Sequence, residues 1–139
     1  MSKLSTAQME DELTSSSDAI ERVTGVRPTL FRPPFGDYND ALIQTCERLG
    51  LFAIQWDVDS LDWKNLSVAE IAQRVVDGTK DGSIILCHNN GANTAAALPV
   101  VLSTLQNKGF SFVPIGELIY KTDYQIDAAG RQKPTAPQV

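Results

Sequence analysis

Three short polar clusters in this sequence contain side chains that can do acid–base chemistry. They occupy residues 32–36 (RPPFG), 57–63 (DVDSLDW) and 84–90 (IILCHNN). Each is associated with an apolar run that is typical of a buried strand. Loops at the carboxyl ends of parallel strands gather on one face of an α/β protein. We therefore expect Arg32, Asp62 and His88, the only histidine in the sequence, to converge on one rim.

Simpler interpretations of the same residues stand beside this one. A histidine next to a buried strand is often satisfied by a backbone carbonyl, and the two asparagines after His88 are typical of a turn. Arg32 can pair with Asp37 or Asp40 at the surface, where such pairs contribute under about 1 kcal/mol. A single tryptophan such as Trp63 is more often part of a core than of a ligand platform.

The elements that must position these clusters follow from apolar periodicity and capping residues. Ser5 with Gln8, and Ser67 with Glu70, form capping boxes, in which the serine hydroxyl and the later side chain satisfy each other's backbone N–H groups. The second helix can begin at Asn39 or Asp40 and the fourth at Asn93 or Thr94. The helices are predicted at 5–25, 39–49, 67–78, 93–109 and 115–120. The first helix is predicted to present the apolar face Met9, Leu13, Ile20 and Val23.

Strands are predicted at 29–31, 51–58, 83–87 and 110–113, and the unbroken aliphatic run predicts that the third of them is fully buried. Helices and strands thus alternate along the chain. This order predicts right-handed crossovers and a parallel sheet, hence an α/β protein. An open doubly wound sheet and half of a β/α barrel both fit it.

Composition limits the partners. With 139 residues, 42% of them hydrophobic, the chain is long enough for one globular unit or part of one. A net charge of −5 and the lack of a Lys/Arg run argue against nucleic acid or an anionic membrane surface. No apolar stretch approaches the roughly 18 residues of a membrane span, and the N-terminus lacks the apolar core of a signal peptide. Cys46 and Cys87 are too few for a disulfide framework and are expected to be structural fillers.

The three clusters together resemble the motifs of the polysaccharide deacetylases, carbohydrate esterase family 4, which share a domain with the rhizobial chitooligosaccharide deacetylase. The segment 32–35 resembles the family's Arg-x-Pro-Phe/Tyr motif, 59–63 its Asp-x-x-Asp-Trp motif and 86–88 its Leu-x-His motif. The segment 109–118 is also similar to the end of these domains. The resemblance implies an α/β fold that is part of a distorted (β/α) barrel with parallel strands, with the N-terminal strands absent from this chain. Residues 1–120 would be the C-terminal part of the deacetylase domain and 121–139 a polar C-terminal tail.

Two features of the family are missing from this sequence, its Asp-Asp pair and its His-x-x-x-His motif. In the family these supply a general base and three ligands to a divalent metal. The resemblance therefore implies a divalent metal, with zinc as the first choice, in the complete domain, and no metal ligands in this chain alone. It also implies a partner, either the N-terminal segment of the same domain or a second chain.

The resemblance assigns roles that the chemistry of amide hydrolysis supports. The departing amine needs an acid, and the reference pKa of histidine, about 6.5, suits His88 to that role. Asp62 would hold and orient the imidazole. Arg32 would pair with the family's catalytic Asp and keep it ionised. The remaining residues would bind the oxyanion and the acetyl group: Pro34 and Phe35 at the oxyanion, where only Phe35 has an N–H to donate, and Trp63 and Leu86 as pocket walls.

Two classes of function follow for the chain. The first is a metal-dependent hydrolase that acts on an acetylated cell-wall or related polysaccharide such as peptidoglycan or chitin. It would remove acetyl groups that are bound to nitrogen or to oxygen. The resemblance places it outside the cytoplasm or secreted, associated with the cell wall. The second is a non-catalytic fragment or a carbohydrate-binding remnant that needs a complementing N-terminal segment. On its own the chain is expected to be inactive.

Overall fold

The computed structural model describes residues 1–135, which form two compact units, Met1–Gln55 and the residues from Trp56 onward. Within the described residues, no helix is long and apolar enough to cross a bilayer. The first unit contains α1 (Thr6–Thr24), β1 (Leu30–Phe31), a 3₁₀ turn (Pro34–Gly36), α2 (Asp40–Arg48) and β2 (Phe52–Ala53). The second contains β3 (Val58–Asp59), a 3₁₀ turn (Asp62–Lys64), α3 (Val68–Gly78), β4 (Ile85–Leu86), α4 (Thr94–Asn107), α5 (Ile115–Leu118), β5 (Tyr124–Ile126) and β6 (Gln132–Pro134).

The first unit packs two helices around a parallel strand pair. The Ser5–Gln8 capping box starts α1, and the Asn39 side chain caps α2 by accepting from the Leu42 N–H. Gly50, with φ of 71°, takes the left-handed position after α2. β1 and β2 pair in parallel, Leu30 with Phe52. The core contains Met9, Leu13, Leu42, Cys46 and Leu51.

The apolar face predicted for α1 is wrong in its second half. Met9 and Leu13 are buried, but Ile20 is exposed and Val23 is 84% exposed. The third buried position of the helix is Ser17, whose hydroxyl is satisfied by donating to the Leu13 carbonyl at 2.7 Å. A polar residue therefore continues the buried face because the helix itself supplies its partner.

The second unit pairs β3 with β4 in parallel, Val58 with Ile85 and Asp59 with Leu86. The Ser67–Glu70 capping box starts α3 as predicted. α3 and α4 pack on each other and contribute to a core of Val58, Ala72, Val75, Val101 and Leu105. The parallel pairs confirm a partial α/β fold, whereas the barrel stays a prediction.

The predicted lengths of the strands are also wrong. The run predicted as one strand at 51–58 is two strands, because Phe52 and Ile54 donate to the first unit's Thr29 and Phe31 carbonyls while Asp57 and Val58 donate to Ile84. The strand predicted at 83–87 is only Ile85–Leu86 and is half-buried rather than fully buried, with Cys87 exposed after it. Residues 110–113 form no strand, and the last helix ends at Leu118. β5 and β6, which the sequence reasoning missed, form an antiparallel hairpin within the polar C-terminal segment.

Candidate active site

The loop after β3 delivers Asp62 into the interior of the second unit. Asp59 Oδ1 accepts from the Leu61 N–H at 3.0 Å, and Leu61 adopts a left-handed conformation with φ of 51°. This tight turn points the chain back toward the protein, and Asp62 is only 1% exposed. A carboxylate so well removed from water needs strong hydrogen-bond donors around it.

His88 supplies two of those donors, because it lies just past β4. The Ser60 N–H donates to the Leu86 carbonyl at 3.0 Å, which extends the pairing of β3 with β4 beyond the strands. The loops that follow the two strands therefore leave side by side. His88 Nδ1 lies 2.7 Å from Asp62 Oδ1, and the His88 backbone N–H donates to Asp62 Oδ2 at 3.0 Å.

The protonation state of Asp62 follows from its surroundings. Burial by itself raises the pKa of this carboxyl, but hydrogen bonds from the Thr94 hydroxyl, from the backbone and ring of His88, and from Ser60 outweigh it and lower the pKa of Asp62 to about 2. Asp62 is thus ionised at neutral pH and can only accept hydrogen bonds. The proton between the two side chains is therefore on His88 Nδ1. This leaves Nε2 as the ring nitrogen that can exchange a proton with a bound molecule.

Trp63 lies next to this pair, and Leu86 is the last residue of β4, two positions before His88. The ring centroid of Trp63 is 6.4 Å from that of His88, edge-on at 72°, and the Lys64 ammonium lies 5.2 Å from the Trp63 ring centroid. Trp63 is nearly half exposed and Leu86 is half-buried. A partly exposed aromatic ring beside a partly accessible imidazole is suited to contact with the apolar side of a sugar ring.

The other predicted site residues belong to the first unit. Arg32 lies just past β1, and Pro34 and Phe35 form the 3₁₀ turn that follows. Phe35 has a left-handed backbone with φ of 59° and a fully exposed side chain, and the Gln55 side chain steadies the turn by donating to the Gly36 carbonyl at 2.8 Å. A non-glycine residue in this conformation stores strain, which is common at functional sites. That Arg32, Pro34 and Phe35 act together with Asp62 and His88 stays a prediction.

Sequence reasoning missed two partners of Asp62, Ser60 and Thr94. The sequence predicts Asn93 or Thr94 as the cap of α4, and the cap position is Asn93, whose side chain donates to the Leu66 carbonyl. The Thr94 hydroxyl donates to Asp62 Oδ2 at 2.5 Å. Ser60 is fully buried. Both residues could have been suspected from the sequence, because Ser60 follows β3 and Thr94 follows β4, the two strands that end at the site.

The described residues do not fit a metal ion by themselves. Among residues 1–135, no group of three His, Cys, Asp or Glu side chains lies close enough together to hold one. The Asp62 carboxylate is already occupied by its hydrogen-bond donors.

Comparisons with known proteins now bear on this site. The family model "Polysaccharide deacetylase" matches residues 1–54. A peptidoglycan-N-acetylglucosamine deacetylase of Listeria monocytogenes is 37% identical over 85% of this chain and 25% of its own length. A family 4 carbohydrate esterase from Streptomyces lividans, solved in complex with acetate, is 42% identical with a TM-score of 0.71, covering 77% of this chain and 55% of that one.

A third relative is described as a pseudoenzyme of carbohydrate esterase family 4, from Bacillus anthracis. It is 30% identical with a TM-score of 0.81, covering 85% of this chain and 42% of that one. The family model, the curated relatives and the solved structures all match the chain to polysaccharide deacetylases, to a C-terminal region of them. The chain spans about a quarter of the length of the Listeria relative.

Proposed function

We propose that this chain supplies the general-acid part of a metal-dependent deacetylase that acts on an acetylated cell-wall polysaccharide, with peptidoglycan as the first substrate to test. The single observation that carries the proposal is the contact of 2.7 Å between His88 Nδ1 and the buried, ionised Asp62. The family supports the reaction class, since its members are polysaccharide deacetylases.

His88 would protonate the leaving group. Collapse of the tetrahedral intermediate breaks the bond between the carbonyl carbon and the amine nitrogen, and an unprotonated amide ion leaves too poorly for this to proceed. The doubly protonated ring gives its Nε2 proton to that nitrogen and becomes a neutral imidazole. Asp62 stays ionised throughout and keeps the Nδ1 proton in place, so that Nε2 remains aimed at the substrate.

The other predicted residues would bind and orient. Trp63 and Leu86 would form the wall against which the acetyl methyl group packs. The N–H of Phe35 would donate to the oxyanion, with Pro34 fixing the turn that carries it, and Arg32 would hold the catalytic Asp of the family ionised. The assignments of Arg32, Pro34 and Phe35 follow from the motif match, and the strained turn at Phe35 supports them.

The catalytic base and the metal would come from elsewhere. The family is generally metal-dependent, and the described residues hold no metal-binding group. We assign zinc and the base to an N-terminal segment of the same domain or to a second chain. Because relatives such as the Listeria protein are peptidoglycan deacetylases, we place the working enzyme outside the cytoplasm at the cell wall.

A second candidate is a non-catalytic fragment or carbohydrate-binding remnant. The similarity to a pseudoenzyme favours it, as does the lack of a metal-binding group among residues 1–135. In this case the exposed Trp63 would stack on sugar without any reaction, and the contact of His88 with Asp62 would serve only to stabilise the loop.

Complementation tests the first candidate. The chain is mixed or fused with a family segment that carries the Asp and His metal ligands, and acetate release from an N-acetylated glycan is measured with and without zinc. Activity is expected only with both segment and metal. Sugar binding without acetate release in the complemented, zinc-loaded protein would favour the second candidate.

His88→Ala in the complemented protein then tests the acid. The variant should lose about 10²- to 10⁴-fold in kcat/KM for the glycan but far less for an activated aryl acetate, whose leaving group needs little protonation. Equal losses for both substrates, with a lowered melting temperature, would show that His88 merely packs. Zinc content is measured in each variant so that a lost metal is not mistaken for a lost acid.

A further inference from the structure

We propose that Thr94 and Gly91 form a positioning pair for the acid: the Thr94 hydroxyl fixes the orientation of the Asp62 carboxylate, and Gly91 leaves the space that this hydroxyl needs. The geometry belongs to the chain itself, while its catalytic meaning rests on the proposed function. Neither residue belongs to the three motifs from which the site was predicted.

The hydrogen bonds at Asp62 divide between its two oxygens. Oδ2 accepts from the Thr94 hydroxyl at 2.5 Å and from the His88 backbone N–H at 3.0 Å, whereas Oδ1 faces His88 Nδ1 at 2.7 Å. A carboxylate rotates about the bond to its methylene group. Holding Oδ2 therefore fixes the direction of Oδ1. Since Thr94 is the first residue of α4, this bond ties the acid to a helix rather than to a loop alone.

Gly91 has no room for a side chain. A Cβ on this residue would lie 2.0 Å from Thr94 Oγ1 and 2.7 Å from Asp62 Oδ2, closer than unbonded atoms can approach. Its backbone does not adopt the positive φ that favours glycine at Gly25 or Gly50. Glycine is therefore required here by space alone, and the space is the one that the Thr94 hydroxyl and the carboxylate occupy.

Two variants disturb the hydrogen bond between Thr94 and Asp62 by different means. Thr94→Val keeps the shape of the side chain but has no hydroxyl. Gly91→Ala keeps the hydroxyl but forces both it and the Asp62 carboxylate to move apart from the new methyl group. Thr94→Ser retains the donor and should behave like the wild type. Ser103→Ala removes another hydroxyl of α4, which donates to the Val100 carbonyl away from Asp62, and serves as the matched control.

The readout is the imidazole of His88. The chain contains one histidine, so nitrogen-15 NMR of the chain reports on this ring without assignment. In the wild type, when the ring is neutral, we expect the proton on Nδ1. In Thr94→Val and in Gly91→Ala, we expect the population with the proton on Nε2 to rise and the Nδ1 proton to exchange with water about tenfold faster. Thr94→Ser and Ser103→Ala should leave both unchanged.

The NMR results for these variants can overturn the proposal in three ways. It is overturned if folded Thr94→Val or folded Gly91→Ala shows the wild-type tautomer and exchange rate, or if Thr94→Ser fails to retain them. If Thr94→Val does not fold, Gly91→Ala and Thr94→Ser decide in the same way. A change in Ser103→Ala as large as that in Thr94→Val would also overturn it, because the effect would then be a general loosening of α4.

Kinetics of the complemented protein separate this inference from the proposed function. Thr94→Val should lower kcat about tenfold with KM unchanged, and Thr94→Ser should stay within about twofold of the wild type. The expected NMR changes in a complemented protein that releases no acetate would refute the deacetylase while leaving the positioning pair intact. Activity without the NMR changes would refute the positioning pair alone.

Discussion

The Asp62 carboxylate is ionised although it is almost wholly removed from water. Burial works against that charge, and the donors from Ser60, His88 and Thr94 outweigh it. A buried charge is tolerable only while its donors remain, since each lost partner leaves an uncompensated desolvation cost. The same group should therefore affect both the reactivity of His88 and the stability of the second unit.

The first prediction concerns Asp62→Asn and the pH dependence of stability. An unfolded aspartate has a pKa of about 3.9, whereas the pKa of Asp62 in the folded chain is about 2. The depressed pKa contributes stability above pH 4 that is lost as pH falls toward 2. In urea unfolding at pH 6, the free energy of unfolding of the wild type should exceed that of the variant by on the order of 2 kcal/mol. This difference should shrink between pH 4 and pH 2.

The control for this prediction is Asp81→Asn. Asp81 is exposed, so its replacement should change the free energy of unfolding by less than about 0.5 kcal/mol across the same range. A difference between wild type and Asp62→Asn that stays constant from pH 6 to pH 2 would contradict the ionised, hydrogen-bonded state of Asp62.

At the scale of elements, the sequence predicted best what local contacts determine. The capping boxes at Ser5 and Ser67 each involve two residues three positions apart. Both partners of each hydrogen bond can therefore be identified from a short stretch of sequence. The extent of a strand depends instead on a distant partner. The run at 51–58 divides because its two ends bond to different neighbours, and no local pattern encodes that change.

The distinction between local and distant partners also explains which contacts of the candidate site could be predicted. The contact between Asp62 and His88 was predictable because both follow neighbouring parallel strands. Thr94 was not, because its hydroxyl reaches Asp62 across 32 residues from the start of a helix, where threonine is usually a cap. The cluster around Arg32 was predicted from its motif alone, and its role stays a prediction.

The hairpin of β5 and β6 is linked to the β3–β4 pair through the Asp57 carboxylate. Asp57 accepts from the Ile84 N–H and the Ser83 hydroxyl, each at 2.9 Å, and from the Arg131 guanidinium at 2.7 Å. Burial raises the pKa of Asp57, but these donors outweigh it and keep the pKa below its usual value. Asp57 thus connects the start of β3 with the segment before β4 and with the hairpin.

The second prediction is that Arg131→Ala loosens both ends of this connection. The backbone amides of Asp127 and Ile84 should exchange with solvent up to about fivefold faster in hydrogen-exchange measurements, because partly exposed ion pairs contribute no more than about 1 kcal/mol. Lys133→Ala removes the pair with Asp127 at 3.3 Å and leaves the bond between Arg131 and Asp57 in place. It should leave Ile84 unchanged, and equal effects of the two variants at Ile84 would refute the connection.

On the scale of the whole molecule, α4 carries more apolar surface than its own unit covers. Ala97, Val101 and Leu105 are buried, but Leu98, Val100 and Leu102 are exposed. A helix that is apolar all round is normally covered on more than one side. Within residues 1–135, each parallel strand also pairs with only one other, so β3 and β4 retain open edges.

The third prediction is that the isolated chain self-associates. Open strand edges and an exposed apolar helix face both favour pairing with another copy or with an N-terminal segment of a family domain. Light scattering coupled to size-exclusion chromatography at micromolar concentration should therefore give a mass above that of the 15.2 kDa monomer, rising with concentration. Adding the complementing segment should lower that mass to one copy of each.

The matched variants separate the helix face from the strand edges. Leu98→Gln combined with Leu102→Gln makes the exposed face of α4 polar without changing its buried positions, and Ser103→Gln places the same side chain on the same helix at an exposed polar position. If the helix face drives association, the double variant should shift the dimerisation constant at least tenfold and the control should not. Association that persists in the double variant assigns it to the strand edges. A monodisperse monomer for the unmodified chain at micromolar concentration would contradict the prediction as a whole.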